Sequence, residues 1–292
     1  MKNGILTIKN LSKSFGKKKV LENFNLNVEK GKVYGLLGIN GEGKTTLIRM
    51  IMGVIPPDNG EIFFKNKKIG FRDDAYKKEI GFIAEESIFY SWMSIKELLS
   101  FNASFYPKWN APKANQYLEK FSLDPKTRIR NLSRGMKLKL GLIVTLASEP
   151  ELLILDDPTS GLDVPTRHDF LKEIIKELSE AGTTILFSTH IVHEIEGIID
   201  NLGILRFGSL ILDEDFHELK NSCMRVLLTS DESLEDKIKI DGIITKKTNG
   251  NQSELVVYPW TEEKKQVIEN LKPTRMEIKP LNLEEIFISF AS

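Results

Sequence analysis

The apolar residues of this chain fall into three patterns, and each predicts a different kind of element. Lys32-Val-Tyr-Gly-Leu-Leu37, Leu152-Leu-Ile-Leu155 and Thr184-Ile-Leu-Phe-Ser188 are short, nearly continuous apolar runs. Such runs suit strands buried on both faces of a parallel sheet. Ile5-Leu-Thr-Ile8, Leu26-Asn-Val28 and Glu61-Ile-Phe-Phe64 instead alternate apolar with polar residues, which predicts an antiparallel layer beside that sheet. Ile80-Gly-Phe-Ile83 reads as a further strand. Helical spacing of three to four covers Thr46–Met52, Ser94–Phe101, Ala114–Phe121 and Pro165–Ala181, so residues from about 87 to 148 form a mostly helical insert. Beyond residue 213 the order changes to strand Arg225–Ser230, helix Leu234–Lys239, strand Gly242–Lys247, strand Glu254–Tyr258, helix Thr261–Leu271 and strand Thr274–Lys279. The Asn249-Gly250 pair is a hairpin turn signal, and β-α-β-β-α-β order predicts a small ferredoxin-like module.

The candidate chemistry sits between the first buried strand and the helix that follows it. Gly38-Ile39-Asn40-Gly41-Glu42-Gly43-Lys44-Thr45, with Thr46 opening the helix, has the spacing of a phosphate-cradling loop. Glycine lets the backbone curl inward, and a helix N-terminus aims amides and a positive dipole end at the same point. Lys44 is then placed for the β- and γ-phosphates and the Thr45 hydroxyl for Mg²⁺. The buried strand Leu152–Leu155 ends in Asp156-Asp157. Asp156 is placed to hold the Mg²⁺ shell with Thr45, and Asp157 to polarise the water that attacks the γ-phosphorus. These residues predict a chain that binds a nucleoside triphosphate.

Charge and composition set limits on that picture. The 41 basic and 41 acidic residues cancel, so there is no global field of the kind that draws a protein onto nucleic acid. Residues 213–292 carry 11 Lys/Arg against 16 Asp/Glu, leaving 30 against 25 in residues 1–212, which supports a boundary between domains 1–212 and 213–292. One cysteine, Cys223, excludes internal disulfides and suits a reducing compartment. No basic-then-apolar segment opens the sequence, and no run of about 18 apolar residues could span a bilayer. The expectation is a cytoplasmic protein; if it works at a membrane, another chain supplies the spanning helices.

The helical insert ends in Asn131-Leu-Ser133-Arg134-Gly135-Met136-Lys137, with Ser133 23 residues before Asp156. This resembles the signature segment of ATP-binding cassette (ABC) ATPases. With the phosphate loop, the strand-acid pair, Ser160-Gly-Leu-Asp163 and His190 after a strand, the resemblance covers residues 4 to about 215. It implies an α/β P-loop nucleotide-binding domain: a mixed sheet with an antiparallel edge layer and a helical subdomain, here joined to the small α+β C-terminal module. It further implies that two cassettes pair head to tail, as a homo- or heterodimer, with Ser133 and Gly135 contacting the γ-phosphate held by the partner's loop. By the same resemblance Phe15 stacks on adenine, Val20 packs beside the sugar, His190 is the switch histidine at the γ-phosphate, and Asp163 communicates across the dimer seam. His168, His193 and His217 match no motif and read as solvent-facing.

Three positions depart from the family pattern. Glu85 stands where glutamine usually touches Mg²⁺ and senses the transmembrane partner, with a slip to Glu86 as the alternative alignment. Asp157 stands where glutamate is usual, retracting the carboxylate by about 1.5 Å, and misplacement on that scale costs on the order of 10²-fold in a positioned reaction. Arg134 and Met136 replace smaller signature residues, with Arg134 expected to point outward. The combination resembles exporter cassettes found in Gram-positive operons beside regulators of the GntR type. It implies an ATP- and Mg²⁺-dependent ATPase subunit of a bacterial exporter, peripheral on the inner face of the cell membrane and docked on separately encoded polytopic permease subunits. The alternatives are a soluble ABC-type ATPase and a hydrolysis-impaired nucleotide-binding regulator. The first is disfavoured because only 112 residues separate Lys44 from Asp156, with no long coiled-coil insert and a single cassette.

Overall fold

The computed structural model describes residues 4–85, 88–158, 174–231 and 237–291. Six strands form the main sheet in the order β10-β9-β3-β8-β7-β6: β10 (Ser209–Asp215), β9 (Asn201–Arg206), β3 (Val33–Leu37), β8 (Thr184–Thr189), β7 (Leu152–Asp156) and β6 (Ile80–Ile83). All neighbours are parallel except β10, which runs antiparallel to β9. The continuous apolar runs have the reason expected of them. Along β7, Leu152 and Ile154 face one core while Leu153 and Leu155 face the other, and all four are fully buried.

The first core lies between the main sheet and a second, antiparallel sheet of order β2-β1-β4-β5, formed by β1 (Gly4–Phe15), β2 (Lys18–Glu29), β4 (Asn59–Phe64) and β5 (Lys67–Ile69). Helix α1 (Lys44–Ile51) is wedged into this core through Leu47, Ile48, Met50 and Ile51. The other face of the main sheet is covered by the helical insert: α2 (Ile95–Ala103), α3 (Ala111–Lys120) and α4 (Arg134–Ala147). Each of these helices begins on a polar cap. Ser94 and Glu97 form a reciprocal capping box, Asn110 accepts from the amide of Lys113, and Ser133 accepts from the amide of Met136.

Strand β10 continues its ladder with β9 to Asp215, past the boundary expected at 213. Helices α5 (Phe216–Ser222) and α7 (Leu283–Ala291) then place Phe216, Leu219, Leu283, Ile286 and Phe287 in the core under the main sheet. Between them, β11 (Met224–Thr229), β12 (Ile243–Asn249), β13 (Gln252–Val257) and β14 (Arg275–Pro280) form an antiparallel sheet of order β12-β13-β11-β14. With α6 (Glu262–Glu269) it encloses a third core of Val226, Leu228, Ile238, Leu255, Val257 and Ile268. The helix expected over 234–239 is not found in its described part: Lys237 lies in a turn and Ile238 to Ile240 are irregular. Ile238 and Ile240 both pack on the third core, a two-residue spacing that suits extended chain better than helix.

Candidate nucleotide site

Strand β3 delivers the chain to the phosphate loop and α1 carries it away. Gly41 and Gly43 have φ of 91° and 110°, conformations that side-chain-bearing residues rarely adopt. Gly43 is also the N-cap of α1, and no side chain occupies the cap. The free amides of the first turn therefore face the loop's concave side together with the positive end of the helix dipole. A Cβ at Gly43 would lie 3.1 Å from Leu21 Cδ2, from Val20 Cγ1 and from the Val20 carbonyl oxygen, so β2 braces the loop from behind. Glu42 braces it from the side, its carboxylate accepting a hydrogen bond from the Phe207 amide in the β9–β10 turn. Ile39 and Asn40 are exposed at the loop's tip, Thr45 is exposed and Thr46 half-buried.

Lys44 is buried, with 5% of its surface exposed. Its ammonium donates to the Gly38 carbonyl at 2.6 Å and the Ile39 carbonyl at 3.4 Å, and stands 3.8 Å from Asp157 Oδ2. Burial lowers its pKa, opposed by Asp157, Asp156 and Glu42. Asp156 ends β7 beside it. Burial raises the pKa of this carboxyl, opposed by hydrogen bonds from the Ser188 and Thr45 hydroxyls. The Ser188 bond is 2.9 Å long, and both of its partners are buried. Thr45, Asp156 and Ser188 are thus one connected oxygen cluster, and Ser188 is the member that sequence reading assigned no role. Its signal was available, since a hydroxyl in a strand buried on both faces needs a partner.

Asp157 has φ of +42°, and its amide donates to the Ser188 carbonyl at 2.8 Å. This turn aims Oδ1 at His190, which contacts it twice: through the backbone amide at 3.1 Å and through Nδ1 at 2.8 Å. Asp157 therefore stands between Lys44 and His190. His190 is half-buried, while His193 and His217 are exposed as expected.

The remaining expected site residues lie on surrounding edges. Phe15 closes the β1–β2 hairpin opposite Lys18 with 53% of its surface exposed, and Lys13 Nζ lies 5.5 Å from its ring centre. A core role for this ring is excluded by that exposure. Val20 is half-buried between the first core and Gly43. Glu85 is exposed in the bend after β6, the strand next to β7. Arg134 is exposed, as expected of an outward-pointing charge, and its Nη2 reaches the Glu85 carbonyl at 3.5 Å, joining the start of α4 to the Glu85 bend. Ser133 and Gly135 stand at the N-terminus of the 14-residue α4. Glu86, Ser160, Asp163 and His168 lie outside the described residues. Among the described residues no group of three or more His, Cys, Asp or Glu is arranged to hold a metal ion. A Mg²⁺ ion suits Thr45 and Asp156 nonetheless, because Mg²⁺ is commonly held by one or two protein oxygens plus substrate phosphates. No helix among the described residues is long and apolar enough to cross a membrane.

The family model described as ABC transporter matches residues 21–160, which includes the phosphate loop, the signature segment and both aspartates. Over 285 residues the chain is 33% identical to the ABC transporter ATP-binding protein YtrB of Bacillus subtilis (strain 168), covering 98% of this chain and 97% of that one. It is 39% identical over 225 residues to the bacitracin transport ATP-binding protein BcrA of Bacillus licheniformis, covering 74% and 71%. A solved ATP-binding subunit of an ABC transporter superposes with a TM-score of 0.67 at 28% identity, covering 74% of this chain and 92% of that one. The loop, the acidic strand end and these likenesses agree, and the chain belongs to the ATP-binding subunits of ABC transporters.

Proposed function

We propose that this chain hydrolyses ATP to drive a bacterial ABC exporter, pairing head to tail with a second cassette on separate membrane subunits. The observation that carries hydrolysis is the Asp157–His190 pair set 3.8 Å from the Lys44 ammonium. The loop amides, Lys44 and Thr46 bind the triphosphate; Lys44 exchanges its Gly38 contact for phosphate oxygens of the same hydrogen-bonding character. Mg²⁺ held by Thr45 and Asp156, with Glu85 as a further hard oxygen, supplies charge neutralisation when bound. Asp157 polarises the attacking water, and His190 holds that carboxylate in place through two contacts. Ser133 and Gly135 present α4's amides to the nucleotide of the partner cassette.

The exporter reading is supported by the relatives, which include a bacitracin transport and a lantibiotic transport ATP-binding protein, the latter from Streptococcus pyogenes at 36% identity over 219 residues. The membrane partner is supported by a chain of exposed rings at the insert, Trp92, Tyr90, Phe101 and Phe105, with successive centres 5.9, 5.8 and 5.0 Å apart. Exposed apolar clusters of this kind suit a docking face. A second reading, a nucleotide-binding regulator that hydrolyses slowly, is favoured by the short side chain of Asp157. Affinity purification from membranes tests the exporter reading: the tagged chain should bring down a polytopic membrane protein, and recovery of soluble partners alone would refute it.

A further inference from the structure

We infer that the C-terminal helix α7 positions His190, with Phe287 as the residue that does so. A cleft of about 300 Å³ lies where α7 meets the segment after His190, lined by His190, Val192 and His193 on one side and Glu284, Phe287 and Ile288 on the other. Phe287 and Val192 are both buried in the core under the main sheet, Phe287 with 9% of its surface exposed. The Val192–Glu194 turn begins two residues beyond His190, whose backbone amide and ring both hold Asp157. A shift of that turn therefore moves the contact that orients the carboxylate.

Helix α7 is anchored at both ends. At its start Asn282 and Glu285 cap each other reciprocally at 2.8 and 3.0 Å, and Arg225 of β11 ties Glu285 at 3.0 Å and Glu254 of β13 at 3.1 Å. At its end Arg206 of β9 donates to the Phe290 carbonyl at 3.2 Å, and Tyr258 packs edge-on against Phe290 with ring centres 5.9 Å apart. The accessory sheet is thereby joined through one clamped helix to the segment that holds the switch histidine. Its role is to fix the geometry of the hydrolytic side of the site, leaving the phosphate loop untouched.

This inference rests on the hydrolysis proposed above, and its test keeps the two apart. Phe287→Ala should lower kcat for phosphate release by on the order of 10- to 10²-fold, with Kd for MgATP within about 2-fold of wild type because no loop contact changes. Phe287→Leu should recover most of the rate. Ile62→Ala, a buried truncation on β4 in the other core, should leave kcat unchanged. The imidazole resonance of His190, assigned by its loss in His190→Gln, should move in Phe287→Ala and stay in place in Ile62→Ala. Equal losses of kcat in Phe287→Ala and Ile62→Ala, a parallel loss of MgATP affinity, or an unmoved His190 signal each overturn the inference. If wild type releases no phosphate, the hydrolysis reading fails, and the His190 signal alone decides this one.

Discussion

Replacing Gly43 by alanine tests the loop's construction where its geometry is tightest. At φ of 110° a non-glycine residue is strained, at a cost of about 1–3 kcal/mol. The added Cβ also meets three atoms at 3.1 Å, one of them the Val20 backbone oxygen, which cannot rotate away. Overpacking of that kind adds about 1–3 kcal/mol. Gly41→Ala shares the first cost at φ of 91° but not the second, because a Cβ there meets nothing within 4 Å. Gly43→Ala should therefore be less stable than Gly41→Ala by about 1–3 kcal/mol, with both variants folded given a typical total of about 5–15 kcal/mol. Urea unfolding with and without MgATP measures both effects. Wild type should gain about 2.7 kcal/mol at a nucleotide concentration of 100 Kd. Gly43→Ala should lose most of that gain, since relief of the contacts moves the amides at the N-terminus of α1. A Gly43→Ala protein as stable as Gly41→Ala, or one still stabilised by nucleotide like wild type, would refute the reasoning.

The acidic residues give predictions of opposite sign for stability and function. Burial raises the folded-state pKa of Asp156 above its usual carboxylate value, so ionising it costs the fold stability as pH rises from about 3.8 through the raised value. Asp156→Asn should accordingly be more stable than wild type at pH 7, with the gain vanishing below about pH 3.8, while Mg²⁺-dependent nucleotide binding falls; a variant less stable at pH 7 counts against this. Asp157→Glu should raise phosphate release if the missing methylene limits the rate, and no gain in turnover would argue that the backbone already compensates. Phe15→Ala should weaken ATP by about 0.5–1.5 kcal/mol through lost stacking and Phe15→Trp should not; equal affinity of all three in a fluorescence titration would remove the ring from the site.

Sequence pattern anticipated the elements that are buried on both faces, because their apolar content has no competing reading. Strands β3, β7 and β8 are of this kind, and the loop between β3 and α1 was legible instead from its glycine and lysine spacing. The antiparallel sheet was anticipated only in part. Strands β1 and β2 each run 12 residues, far beyond Ile5–Ile8 and Leu26–Val28, by passing through bulges. Asn10 and Asn23, both at φ of 48°, look like turn residues in sequence and serve here as bulge positions. The hairpin β9–β10 was not anticipated, although it closes the sheet and holds the Phe207 amide against Glu42. In the described part of the helix expected over 234–239 the chain is irregular, and Ile238 and Ile240, two apart, both pack on the third core.

At the site, residue types and spacing pointed to Lys44, Asp156 and Asp157, and the family resemblance to His190, but neither gave their pairing. That Asp157 bonds His190 twice while facing Lys44 depends on the left-handed turn at Asp157 and on the register of β7 against β8. The buried Ser188 hydroxyl signalled the need for a partner, but its pairing with Asp156, like the α7 contact, arises between elements far apart in sequence.

Steady-state phosphate release from MgATP by the purified chain, measured beside Asp157→Asn, tests hydrolysis most directly. Wild type should release phosphate continuously and Asp157→Asn should release almost none while still binding ATP. Equal rates from the two proteins, or no release from wild type, would contradict the role assigned to this site.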